Sequence, residues 1–135
     1  MDFLKRAFAE EGFLSFRGRI NRAKYIKASL ICFVLFAVFA LLVAANISLL
    51  GDNSFIWFLT ILIYFMICIY SLANNIKRLH DLNISGAWMV AWIVITYFSE
   101  IVSLILLLVC ASVKGTNGPN IYGSDPLEGK QESSI

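Results

Sequence analysis

The chain has 135 residues, enough for one domain and too few for two. Hydrophobic residues make up 59% and charged residues 15%, with a mean hydropathy of +0.78, where a soluble domain carries roughly 45–50% and about 25%. That balance excludes an ordinary water-soluble globule, and a formal net charge of +2 is too small to suggest a nucleic-acid partner.

Residues 1–15 form a first segment. The start, MDFLKRAFAEEGFLSF, lacks the apolar core and small-residue cleavage site of a signal peptide, so the first span is expected to act as its own insertion signal. Over residues 2–11, Phe3, Leu4, Ala7 and Phe8 fall on one helical face and Lys5, Arg6, Glu10 and Glu11 fall elsewhere, with Gly12 as a stop. This reads either as a helix lying in the membrane interface or as a partly ordered tail.

Residues 16–113 are the expected transmembrane domain. FRGRINRAKYIK opens it with Arg17, Arg19, Arg22, Lys24 and Lys27, and Asn21 is placed to cap the helix that follows. The first apolar run, about Tyr25 to Leu50, is long enough to cross a bilayer with some tilt. Gly51-Asp52-Asn53 is a tight polar turn, and the second run, about Ser54 to Ala73, must return beside the first as a helical hairpin. Residues 74–86, NNIKRLHDLNISG, are the main polar loop, into which the second helix can continue as far as Asn83 or Gly86.

The last apolar stretch, Ala87 to Val113, is too long for one straight span and too short for two full passes. Glu100 lies near its middle, where a carboxylate at a helix centre costs at least ~2.5–3.5 kcal/mol. Two solutions fit: one tilted helix with Glu100 neutral or partnered, or two short helices broken around Tyr97–Glu100. Residues 114–135 form a polar tail with Gly115, Gly118, Gly123, Pro119 and Pro126 at predicted turns. The expected architecture is therefore all-α: a polytopic transmembrane bundle of two long spans plus a third run broken into two shorter helices.

Seven Lys and Arg residues precede the first span (5, 6, 17, 19, 22, 24 and 27), Lys77 and Arg78 follow the second, and the 51–53 turn has none. The positive-inside rule then predicts a multi-pass protein of a bacterial inner membrane with a cytoplasmic N-terminus. The tail, with Lys114 and Lys130 among acids, does not fix its own side. Cys32, Cys68 and Cys110 lie in apolar runs without CxxC spacing and read as small packing residues.

Three segments in order carry a recognisable pattern: Arg17-Gly18-Arg19 with Arg22 and Tyr25; Lys77-Arg78-Leu79-His80-Asp81 with Gly86 and Trp88; and GTNGPNIYGSDP from Gly115 to Pro126. Together they resemble the DUF805 family of small bacterial inner-membrane proteins, over nearly the whole chain. The resemblance implies no activity, because that family has no assigned function. It implies a broken last run, since members commonly carry Pro and Gly at its middle; this chain has Phe98, Ser99 and Glu100 there. The family often has Glu where Lys24 stands, Trp where Ile26 stands, and Arg where Lys77 stands.

Four features invite a functional reading, each beside a structural one. Arg17, Arg19 and Arg22 can pair with lipid phosphate, or only set topology. Arg78, His80 and Asp81 can hold a general base, or form a polar clasp at a helix end joined to Arg17 or Arg19. The tail motif Gly118, Asn120, Tyr122, Gly123 and Asp125 lacks the Lys-Ser/Thr ending of a phosphate-binding loop and reads best as a cap, with Asp125 placed to neutralise an arginine. Glu100 can serve proton or cation passage, or sit in a turn. No nucleophile motif and no metal-ligand spacing is evident, so no catalytic residue, metal or cofactor is expected.

The most economical expectation is a non-enzymatic accessory or regulatory membrane component. The alternatives are an oligomeric proton or ion transporter using Glu100, and lipid-headgroup binding at the cytoplasmic face. Expected partners are the bilayer, including anionic phospholipid, and further copies or another membrane protein, with Ala40, Ala44, Ala45 and Ser71 as small residues suited to such contacts.

Overall fold

The computed structural model describes residue 12, residues 14–50 and residues 53–128. Four α-helices follow one another among the described residues: α1 Arg22–Ala45, α2 Ser54–Asp81, α3 Trp88–Phe98 and α4 Glu100–Ser112. Among the described residues there is no β-strand beyond a single bridge between Asn120 and Gly123. The amphipathic helix expected at residues 2–11, most of the turn at 51–53 and the end of the tail from residue 129 lie outside the described residues.

Polar residues set the helix ends. Asn21 caps α1, its side chain accepting the Lys24 amide at 2.9 Å, as its place before the apolar run predicts. Asn53 caps α2 by accepting the amides of Phe55 and Ile56 at 3.1 and 3.4 Å. α2 runs past its apolar section to Asp81, and Asn83, at φ 60°, turns the chain out of the helix in the left-handed conformation that Asn tolerates. α1, with 24 residues, and α2, with 28, are about 36 and 42 Å long, more than a hydrocarbon core of about 30 Å.

α1 continues into a π-helical turn at Asn46–Leu50. There the Asn46 amide donates to Thr60 Oγ1 of α2 at 2.8 Å, with both side chains buried. Asn46, near the far end of the first apolar run, is thus an interhelical link.

The last apolar run is two helices. Ser99 stands between them in an extended conformation, φ −157° and ψ 108°, and its hydroxyl caps α4 by accepting the Val102 amide at 3.4 Å. The break therefore forms without proline or glycine. Glu100 occupies the first turn of α4, where the positive end of the helix dipole favours an acid. The short helices are stitched near this turn: Trp92 Nε1 and Thr96 Oγ1 both donate to Ser103 Oγ, at 3.3 and 3.1 Å.

Most of the helical surface is apolar and exposed, with Phe33 at 74% and Leu41 at 71%, as lipid-facing side chains are. The packed core sits at one end, where Ile20, Tyr25, Leu79, Met89 and Cys110 are in contact. The buried charged residues Lys77, Arg78 and Asp81 lie at that same end, near the C-terminus of α2.

Candidate functional site

Arg78 is the centre of this end. Its side chain is fully enclosed, at 0% exposure. Nε donates to the Cys110 carbonyl at 2.7 Å, Nη1 to the Ile20 carbonyl at 3.3 Å and to Asp81 Oδ2, and Nη2 to the Val113 carbonyl. Two of these acceptors are carbonyls at the C-terminal end of α4, which no later helical turn can satisfy and which form the negative end of its dipole. Arg78 thus ties α4 to α2, with its guanidinium 6.0 Å from the centroid of the Tyr25 ring.

Asp81 neutralises this buried charge and a second one. Arg19 donates to Asp81 Oδ1 from Nε at 3.2 Å and from Nη2 at 3.0 Å. Its remaining donors go to the tail: Nη2 to Thr116, at 2.7 Å to the carbonyl and 3.0 Å to the hydroxyl, and Nη1 to the carbonyls of Gly118 at 2.7 Å and Gly123 at 3.3 Å. Thr116 answers Asp81 directly, its amide and hydroxyl donating to the Asp81 carbonyl at 2.9 and 3.0 Å. Gly115 makes this approach possible: a Cβ there would stand 2.6 Å from Cγ of Asp81.

The tail folds over His80. Asn120 Nδ2 donates to the His80 carbonyl and to Thr116 Oγ1, both at 2.9 Å, and the Tyr122 ring lies flat on the His80 ring at 4.0 Å. His80 Nδ1 faces the Gly18 carbonyl at 3.3 Å. Gly118, at φ +73°, turns its amide toward Asp125 Oδ2 at 2.8 Å, and Leu127 donates to Oδ1 at 2.9 Å. The amides of Leu127 and Gly118 hold the Asp125 carboxyl below its ordinary value. Asp125 therefore caps backbone amides, while Asp81 pairs the arginines.

The other expected site residues fall outside this knot. Arg17 is exposed, and Arg22, also exposed, reaches the Ser112 carbonyl at 3.3 Å. Lys77, beside them, donates its amine to the Gly12 carbonyl at 2.8 Å. Glu100 is exposed at the far end of α4, a whole helix from Arg78 and Asp81.

Beside the knot opens a cleft of about 800 Å³, with Arg17, Lys24, Lys27 and Lys77 among its lining residues and Tyr122 and Asp125 on its tail side. An apolar groove of about 500 Å³ follows between α1 and α2. Ile31 and Tyr70 line both. Lys24 and Lys27, counted above among the topology-setting cations, share one helical face with Ile31, and that spacing is the sequence signal of a shared wall.

Residues 13–124 match the model of a family described as "Protein of unknown function (DUF805)". The chain belongs to the DUF805 family. It is 30% identical over 119 residues to the inner membrane protein YhaI of Escherichia coli strain K12, covering 88% of this chain and 92% of the relative. The same figures hold for YhaI of E. coli O157:H7. No solved structure matches the chain.

The three segments that carry the DUF805 pattern meet in one place. Arg19 comes from the first, Arg78, His80 and Asp81 from the second, and Thr116, Gly118, Asn120 and Gly123 from the third, all joined by the bonds above, with Gly115 packed against Asp81. In this DUF805 chain the pattern describes a clasp that closes one end of the four described helices.

Proposed function

We propose that the protein is a non-enzymatic, multi-pass component of the bacterial inner membrane, acting as an accessory subunit of a larger membrane assembly. Its family and its likeness to an inner membrane protein support the location. Lys and Arg are concentrated at the clasp end, and the 51–53 connection at the other end has neither, which supports a cytoplasmic N-terminus, clasp and tail. The clasp supports a structural role over a catalytic one: Arg19, Arg78 and Asp81 are engaged with one another and with backbone carbonyls, and His80 is stacked against Tyr122 and faces a carbonyl.

The observation that carries the accessory reading is the turn between α3 and α4. The two helices, with 11 and 13 residues, are about 16 and 20 Å long, well short of a core of about 30 Å. α3 starts and α4 ends at the clasp, so by length their turn reaches about half-way across. It carries Tyr97 and Phe98, 86% and 79% exposed, beside the exposed Glu100. Irregular backbone and a carboxylate at such depth are tolerated where another protein surface or a water-filled cavity covers them. A neighbouring polypeptide meeting this turn satisfies both needs.

A photo-crosslinking amino acid in place of Tyr97, in the full chain in its native membrane, tests this. Discrete protein adducts are expected, at twice the chain's mass for a second copy or at another mass for a different subunit. Adducts to lipid alone, with the purified protein monomeric, would contradict the proposal.

A further inference from the structure

The basic cleft and the apolar groove form one slot with a change of character along its length. On α1, positions 24, 27, 31, 35, 38 and 42 recur at three- and four-residue steps, so Lys24, Lys27, Ile31, Leu35, Val38 and Leu42 share one face. The first two line the cleft, the last three line the groove, and Ile31 lines both. On α2 the same order runs the opposite way, from Lys77 through Asn74 and Tyr70 to Ile67 and Ile63. Two helices therefore present cations at one end of a shared trough and hydrocarbon along the rest.

The cleft's positive charge is only partly compensated among the described residues, since Asp125 is the one acid among its lining residues. Arg19 is occupied by Asp81, and the cleft's one described acid, Asp125, already accepts two backbone amides. Arg17, Lys24 and Lys27 are exposed and make no ion pair with a described acid, and Lys77 meets a neutral carbonyl. Four cations around a cleft of about 800 Å³ suit a phosphate-bearing group. From Ile31 to Leu42 the groove is about 16 Å long, half of a core of about 30 Å, which is the depth of one leaflet.

We propose that this slot seats one anionic glycerophospholipid of the leaflet at the clasp end, its phosphate among Arg17, Lys24, Lys27 and Lys77 and one acyl chain along the groove between α1 and α2. Tyr70 lies at the boundary, where an amphipathic ring suits the glycerol level. The site differs from a general basic collar because it binds head and tail of the same molecule. It also differs from headgroup binding by Arg19 or Arg78, whose donors the clasp consumes.

The test uses the full chain, stripped of lipid in a neutral detergent and offered phosphatidylglycerol or phosphatidylcholine with the same acyl chains. Native mass spectrometry reads the retained lipid. The wild type is expected to hold one phosphatidylglycerol with a preference on the order of tenfold. Lys24→Gln with Lys27→Gln is expected to abolish the preference, whereas Lys114→Gln, outside the cleft, leaves it. Val38→Trp fills the groove without touching charge and is expected to lower retention of both lipids. Circular dichroism and melting check folding, and Lys27→Gln alone, at an exposed position, serves if the double variant does not fold. Equal retention of the two lipids by the wild type overturns the proposal, as does indifference to both the charge and the groove variants. Displacement of the lipid by soluble glycerol 3-phosphate, with Val38→Trp silent, would identify a free-phosphate site and overturn it too.

Discussion

Two donors of Arg19, Nε and Nη2, converge on a single oxygen of Asp81, 62 positions later, at 3.2 and 3.0 Å. The other Asp81 oxygen takes Arg78, so one carboxylate holds two guanidinium groups at 1% and 0% exposure. Replacing it by Asp81→Asn leaves buried positive charge without its counter-charge, a change that costs roughly 3–5 kcal/mol. The expected result is a large loss of melting temperature in detergent and of protein recovered from membranes. Arg19→Lys keeps a charge but loses the planar fork that serves Asp81 and three tail carbonyls, and is expected to fall between wild type and Asp81→Asn.

Gly115 tests the closeness of tail and helix with a single methyl group. Gly115→Ala drives a carbon into Asp81, 2.6 Å from its Cγ, and either the tail lifts or the ion pairs part. Overpacking of this kind costs about 1–3 kcal/mol. Increased proteolysis of the tail, with α1 and α2 still helical, is the expected signature; an unchanged cleavage pattern would contradict the tight contact.

The sequence disclosed the spans, the cap at Asn21, the end of α2 and the broken last run, because each depends on a local signal: apolar length, a capping side chain, or a polar interruption. It also suggested that Arg78, His80 and Asp81 form a polar clasp at a helix end joined to an N-terminal arginine. It could not show that Arg78 spends two donors on carbonyls of Cys110 and Val113, because backbone acceptors leave no trace in residue identity. The same holds for Asp125, whose expected arginine is replaced by two amides, and for Asn46, whose partner Thr60 is fixed only by the register of α1 against α2. The 11 and 13 residues of α3 and α4 on either side of Ser99 could not be fixed from the apolar run alone.

The link between Asn46 and Thr60 gives a smaller, separate prediction. Thr60→Val keeps shape and removes the acceptor of a buried amide. Interhelical hydrogen bonds in membranes average about 0.6 kcal/mol and reach about 1.7. A loss of that size in detergent unfolding is expected for Thr60→Val, largely recovered when Asn46→Leu removes the orphaned donor as well.

Asp125 makes tail docking sensitive to acid. The amides of Leu127 and Gly118 depress its folded value below the ordinary 3.8, so their stabilisation is complete above that value and is lost as pH falls through the lower folded one. Protection of the Gly118 amide from hydrogen exchange should hold at about pH 5 and fall in stronger acid. Asp125→Asn should lower protection at about pH 5 and match the wild type in strong acid; protection unaffected by the substitution would contradict the cap.

The side of the membrane that holds the tail decides most directly whether the clasp exists in the cell. With Cys32, Cys68 and Cys110 replaced, a single cysteine is placed at Ser124, exposed beside the clasp, or at Asn53, exposed at the opposite end. Spheroplasts are then treated with a membrane-impermeant thiol reagent. The expected result is that position 53 labels at once and position 124 only after lysis, which puts tail, Arg19 and Asp81 together in the cytoplasm. Labelling of position 124 before lysis would contradict the account, because it would place tail and N-terminal arginines on opposite sides of the bilayer or turn the whole protein over.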